Sequence, residues 1–201
     1  MLIAGLTGGM GCGKTFVASA LRDLGCYVIE ADDLGREVML PGGPAYAAII
    51  AEFGKGIVGE DGAIVRSRLA SIVFSDPPEL VRLNAIVHPA VHKLAHQRFR
   101  EIESHDPRAI VIYVAAILVE TGGYREFPRL IVVACRRQQQ IERALQRPGA
   151  KLSDILARLE RQLPLGKKKE LADYVIDASG TIEKTLRQTK MVFNDLKKQA
   201  S

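Results

Sequence analysis

A three-layer α/β fold, a parallel sheet with helices on both faces, is the class this sequence predicts, and three observations point to it. Short apolar runs rich in β-branched residues alternate along the chain with segments of helical periodicity. The alternation opens with a strand, a glycine-rich loop and a helix in immediate succession. Hydrophobic residues make up 47% of 201 positions, enough for one well-packed core with an excursion.

The first strand is LIAGL at 2–6, apolar and closed by a glycine cluster. The helix after it, about Lys14 to Leu24, carries Val17, Leu21 and Leu24 at helical spacing. CYVIE at 26–30 reads as the second strand, the start of RAIVIYVAAILVE at 108–120 as the third, RLIVVA at 129–134 as the fourth and DYVIDAS at 173–179 as the fifth. Helical patterns run over Gln138–Gln146, Leu152–Leu163 and Ile182–Lys198. The interval between the second and third strands is far longer than one crossover helix needs. It holds turn signals at Pro41-Gly42-Gly43-Pro44 and Asp61-Gly62, then a helical stretch after Asp76-Pro77-Pro78 towards Ser104. Residues 34–105 therefore read as a mostly helical insertion. A second insertion, 137–170, is dense in Arg, Gln and Lys with Pro148-Gly149 near its middle, the composition of a flap that closes over an anion. Residues 1–33, 106–136 and 171–201 remain as the core.

A net charge of +5 and a pI near 9.2 favour anionic partners or a solvated basic surface. Aromatic residues are 5% of the chain and form no stacking pattern, which argues against nucleic acid. Cys12, Cys26 and Cys135 are odd in number and contain no CxxC pair, so neither a disulfide framework nor a zinc knuckle is expected, and a reducing cytoplasm fits. No segment reaches the length of a membrane span. His88, His92 and His96 recur every four residues, a spacing open to metal capture, but no cysteine or carboxylate converges on them in the sequence and a surface role is the expectation.

Gly8-Gly9-Met10-Gly11-Cys12-Gly13-Lys14-Thr15 satisfies G-x-x-x-x-G-K-S/T between a predicted strand and a predicted helix. Glycines let successive backbone N–H groups turn inward around a phosphate, and the helix N-terminus adds partial positive charge. Lys14 has the reach for the β- and γ-phosphates of a nucleoside triphosphate, and the Thr15 hydroxyl suits a magnesium ion bridging them. The second strand runs into Glu30-Ala31-Asp32-Asp33. In a parallel sheet its carboxyl end shares the edge of the phosphate loop, where a carboxylate can take the proton of an acceptor hydroxyl or hold water on a metal. Asp32 is the first choice; Asp33 serves equally well as a helix cap.

A longer series of motifs resembles the dephospho-CoA kinase family. It comprises the phosphate loop, EADDLGREV at 30–38, PGGPAY at 41–46, DGAIVRSRL at 61–69, VF and DP at 73–77, LNAIVHP at 83–89, LVETG at 118–122, QIERALQR at 140–147, RQLP at 161–164 and ADYVIDASG at 172–180. The ordered set covers essentially the whole chain. The resemblance implies a P-loop kinase fold with core, helical acceptor domain and lid. It implies ATP and dephospho-CoA as substrates, magnesium, and phosphorylation of the ribose 3′-hydroxyl as the last step of coenzyme A synthesis. The second acid of the family's Asp-Ala-Asp motif falls on Asp32, and its first is Glu30 here. Arg143 and Arg147, four apart and so on one face if helical, are the expected lid arginines, and Arg66 and His88 match acceptor-domain positions. The chain departs from the family pattern at Ala116, where proline is usual, at Ala178, where asparagine is common, and at Cys12, where serine is frequent. Another P-loop metabolite or nucleoside monophosphate kinase, and a nucleotide-dependent switch or binding module, stand as alternatives. The switch lacks an N/T-K-x-D guanine-reading segment. Oligomeric state is not specified by the sequence.

Overall fold

The computed structural model describes residues 1–200. Five strands, β1 (Leu2–Gly8), β2 (Tyr27–Glu30), β3 (Ile110–Val114), β4 (Arg129–Ala134) and β5 (Tyr174–Asp177), form one sheet in the order β2-β3-β1-β4-β5. β1 lies at the centre, parallel to β3 in the register Leu2↔Ile110 to Leu6↔Val114 and to β4 in the register Ala4↔Arg129 to Gly8↔Val133. β4 and β5 are also parallel. Nine α-helices are seen among the described residues: α1 (Lys14–Asp23), α2 (Ala31–Glu37), α3 (Tyr46–Phe53), α4 (Arg66–Ser75), α5 (Pro77–His105), α6 (Arg137–Leu145), α7 (Leu152–Arg161), α8 (Leu165–Glu170) and α9 (Ile182–Gln199).

Around β1, β3 and β4 both sheet faces are buried, so these strands read as continuous apolar runs rather than as alternating ones. In β4, Ile131 and Val133 point into a core shared with Val17 and Leu21 of α1 and Val192 and Leu196 of α9. Leu130 and Val132 point the other way and pack with Leu118 and Val119. That second cluster explains why β3 is shorter than its apolar run. The ladder ends at Val114, apart from an Ala115 N–H to Leu6 O bond of 3.0 Å, and the chain then turns to lay Leu118 and Val119 across the sheet face.

The contacts divide the chain into two compact units, residues 1–29 with 102–201, and residues 30–101. The second unit has its own core of Val38, Ile49, Ile57, Leu69 and Val73, against which Leu83, Val87, Val91 and Leu94 of α5 pack at helical spacing. Pro89 sits within α5, costing one i→i−4 bond without ending the helix.

One helix boundary differs from the sequence reading. α6 stops at Leu145 with Gln146 as its cap, so Arg147 stands in the turn Arg147–Ala150 and does not share a helical face with Arg143. Pro148 is the reason: a residue before proline is pushed out of helical geometry. No helix among the described residues is long and apolar enough to cross a membrane.

Ile131, fully buried in β4 beside the central strand, anchors the core under α1. Ile131→Ala is expected to lower unfolding free energy by about 2–5 kcal/mol, read as a shifted denaturant midpoint with an unchanged slope.

Candidate active site

The carboxyl end of β1 delivers the glycine loop at the centre of the sheet, and α1 begins at Lys14 directly after it. Gly13 caps that helix in the left-handed region at φ 88°, with no side-chain cap and no acidic residue in the first turn. The start of α1 thus carries no side-chain cap and no carboxylate of its own first turn, the arrangement that receives an anion. Lys14 Nζ donates to the carbonyls of Gly8 at 3.0 Å and Gly9 at 3.1 Å, which folds its charge over the loop. Thr15 is exposed in the first turn.

α6 supplies the back wall. A methyl group on Gly9 would lie 1.9 Å from the side-chain nitrogen of Gln140, and one on Gly11 2.4 Å from its main-chain oxygen. Gly11 also holds φ 74°, which side chains resist. These glycines therefore answer to a neighbouring helix as well as to conformational freedom. On the other side, Gln162 Oε1 accepts the Met10 N–H at 3.1 Å, so this loop amide is committed to the protein.

Two of the three cysteines meet behind the loop. Cys12 is fully buried, its sulfur 3.3 Å from that of Cys135 and 3.1 Å from Gln140 Nε2. The Cys135 thiol donates to Cys12 and holds its pKa down to about 6; burial opposes this, while the Gln140 amide and the Lys14 charge assist. Cys135 is pushed up because it keeps the shared proton and faces the Cys12 anion. Burial raises Cys26, which has no such partner, to about 12.

The segment leaving β3 is tied down from both sides. The carbonyl of Ala116 accepts the Thr7 hydroxyl at 3.2 Å and the Lys168 ammonium at 3.0 Å. Lys168, fully buried, also pairs with Glu120 at 2.7 Å, and Glu120 in turn accepts the Leu163 N–H at 3.0 Å. α6 and α7 pack through Ala144, Ile155 and Leu159 with Met10 against them. Arg147, Lys151 and Arg158 surround a cavity of about 210 Å³ that Met10 also lines. Arg143 donates to the Ala178 carbonyl at 2.9 Å and Gln139 to that of Ser179 at 3.0 Å, so α6 braces the segment after β5.

A family model for dephospho-CoA kinase matches residues 2–184. The chain belongs to the dephospho-CoA kinase family. The dephospho-CoA kinase of Aquifex aeolicus is 42% identical over 192 residues, 96% of each chain. That of Geobacter sulfurreducens is 39% identical over 193 residues, 96% of this chain and 98% of its own. Among solved structures, a protein from Thermus thermophilus matches with TM-score 0.83 and 30% identity over 96% of this chain and 97% of that one. A dephospho-CoA kinase from Campylobacter jejuni has the same fold, with TM-score 0.75 and 20% identity over 99% of this chain and 98% of that one.

The sequence-predicted residues fall into two groups. Gly8, Gly9, Met10, Gly11, Cys12, Gly13, Lys14 and Thr15 form the loop, and Met10 lines a cavity with Arg147, while Arg143 is turned to Ala178. In the second unit, Glu30 closes β2 and Asp32 and Asp33 occupy the first turn of α2. Both acids are exposed, and Asp33 forms an ion pair with Arg36. Arg66 opens α4 and His88 is exposed on α5. The His92 and His96 ring nitrogens approach to 3.1 Å. Reading the sequence assigned no role to Gln140, Gln162, Glu120 or Lys168. All four lie inside the family-like strings or beside them, but only long-range contacts reveal what they touch.

The cysteine pair sets a pH signature. The Cys135 thiol and its neighbours lower the Cys12 pKa from the ordinary thiol range to about 6, so ionisation of the pair is expected to move to lower pH. Ultraviolet thiolate absorbance should rise with a midpoint of about 6 in the native protein, and Cys135→Ala, which removes the main donor, should move that midpoint upward.

Proposed function

We propose that the protein transfers the γ-phosphoryl group of ATP to the ribose 3′-hydroxyl of dephospho-CoA, giving coenzyme A and ADP in the cytoplasm. The observation that carries this reading is the phosphate loop at the end of the central strand in a chain of this family. The acceptor oxygen attacks the γ-phosphorus as the bond to the β–γ bridging oxygen breaks, so charge spreads over three equatorial oxygens and on to ADP. Loop amides and Lys14 hold the triphosphate, and Lys14 leaves the Gly8 and Gly9 carbonyls to reach it. Asp32 orients the acceptor hydroxyl and takes its proton.

A hydroxyl one residue after the loop lysine, with phosphate oxygens as co-ligands, is a hard oxygen set that fits magnesium, and Thr15 would hold the ion. When bound, magnesium neutralises developing charge on the β- and γ-phosphates. Residues 137–170 serve as lid, with Arg143 and Arg147 delivered to the transferring group. Arg147 already lines a basic cavity beside Met10, and Arg143 exchanges the Ala178 carbonyl for phosphate on closure. Residues 34–105 serve as the acceptor domain, where Arg66 and His88 contact dephospho-CoA; residues 1–33, 106–136 and 171–201 form the nucleotide core.

The test is a coupled assay of ADP release. ATP consumption should depend on dephospho-CoA, and Asp32→Ala should cut kcat by about 10²–10⁴-fold while leaving ATP affinity within a factor of about two. Turnover that ignores dephospho-CoA but follows another hydroxyl acceptor would overturn the substrate.

A further inference from the structure

A lysine with no exposed surface is rare and needs full compensation, because an unpaired ammonium in the interior loses its hydration. Lys168 is compensated by two groups on the segment leaving β3, the Ala116 carbonyl at 3.0 Å and the Glu120 carboxylate at 2.7 Å. Both acceptors have second tasks. Ala116 O also receives the hydroxyl of Thr7, the β1 residue just before Gly8. Glu120 also receives the N–H of Leu163, and the neighbouring Gln162 holds the Met10 N–H of the phosphate loop. The contacts form an unbroken series: Met10, Gln162, Leu163, Glu120, Lys168, Ala116, Thr7. It begins at Met10, within the first half of the glycine loop, and ends at Thr7, just before it.

We infer that Lys168 and Glu120 are positioning residues for the phosphate loop: their ion pair, a fully buried lysine against a glutamate at the surface, fixes the α7–α8 junction so that Gln162 holds the Met10 amide and the loop keeps its triphosphate-binding shape. Gln162 reaches Met10 from a short linker between α7 and α8, and Leu163 beside it is held by Glu120. α8 has only six residues, too few to hold that linker through helix propensity alone. The pair, with its buried lysine, supplies the anchor. A chemical consequence follows for Ala116, where the family commonly carries proline: its carbonyl orientation is set here by Lys168 and Thr7 instead of by a ring.

This inference rests on the ATP site proposed above, so its test reads nucleotide binding alone, by calorimetry with a non-hydrolysable ATP analogue and magnesium, without any acceptor. Native protein that fails to bind the analogue would overturn the ATP site itself. With binding in hand, the informative variant is Lys168→Met/Glu120→Leu, which removes both charges and regains apolar packing. Its melting temperature should lie close to that of the native protein and above that of Lys168→Met, while analogue affinity falls roughly tenfold, within the usual range for coupled sites. Gln162→Ala alone should cost a similar factor. Combined with the double variant, Gln162→Ala should add less than about twofold, because the same contact is already lost. A double variant that recovers affinity together with stability would make the pair structural only and overturn the proposal, as would full additivity with Gln162→Ala. Should the double variant fail to melt cooperatively, Glu120→Gln enters the same cycle with Gln162→Ala, and additivity there is equally fatal.

Discussion

The close approach of α6 to the glycine loop is the constraint on which the candidate site depends. Gln140 brings its main-chain oxygen to Gly11 so tightly that no side chain fits between, and its side-chain amide closes over Gly9. Contact of this kind turns a flexible peptide into a fixed wall, because a loop that glycine makes mobile is held from behind by a regular element. Parallel pairing of β1 with β3 and β4 then aims the wall at the sheet's carboxyl edge, where open α/β sheets bind ligands. Lys14, at the first position of α1, is positioned by the same turn.

Electrostatics inside this unit follow from what the wall encloses. The Cys12 sulfur sits behind the loop, where the Cys135 thiol, the Gln140 amide and the Lys14 charge lower its pKa against the opposing effect of burial. A serine hydroxyl at that position would carry no such ionisation near neutral pH. The Lys168 and Glu120 pair is a second charge set, with the lysine buried and the glutamate at the surface, and it is discharged locally: each member faces the other and a main-chain group. Neither set stands at the start of α1, where Lys14 is placed.

Much of this was legible in the sequence, for reasons that differ by element. β1, β4 and α1 were readable because apolar runs and a helical period are local signals, and the loop motif was readable because each of its residue types answers a local need. β3 was shortened by a tertiary demand, the burial of Leu118 and Val119 on the far face of the sheet, which no window of sequence contains. The end of α6 turned on Pro148, a signal that was present but outweighed by the four-residue spacing of Arg143 and Arg147. Cys12 and Cys135 lie 123 residues apart, so spacing rules for cysteines are silent on their meeting. Lys168 reads as one of three consecutive lysines in GKKKE; only the fold singles out the one that is buried.

The most direct measurement of the central claim is the affinity of ATP with magnesium for Gly11→Ala, by calorimetry, on protein shown by circular dichroism to melt cooperatively. A methyl group there must displace the main chain of Gln140 or distort the loop, so the account predicts a loss of about 100-fold, equivalent to about 2.7 kcal/mol, with α/β secondary structure retained. Affinity unchanged from the native protein would contradict it, because the triphosphate would then be held by groups other than this loop.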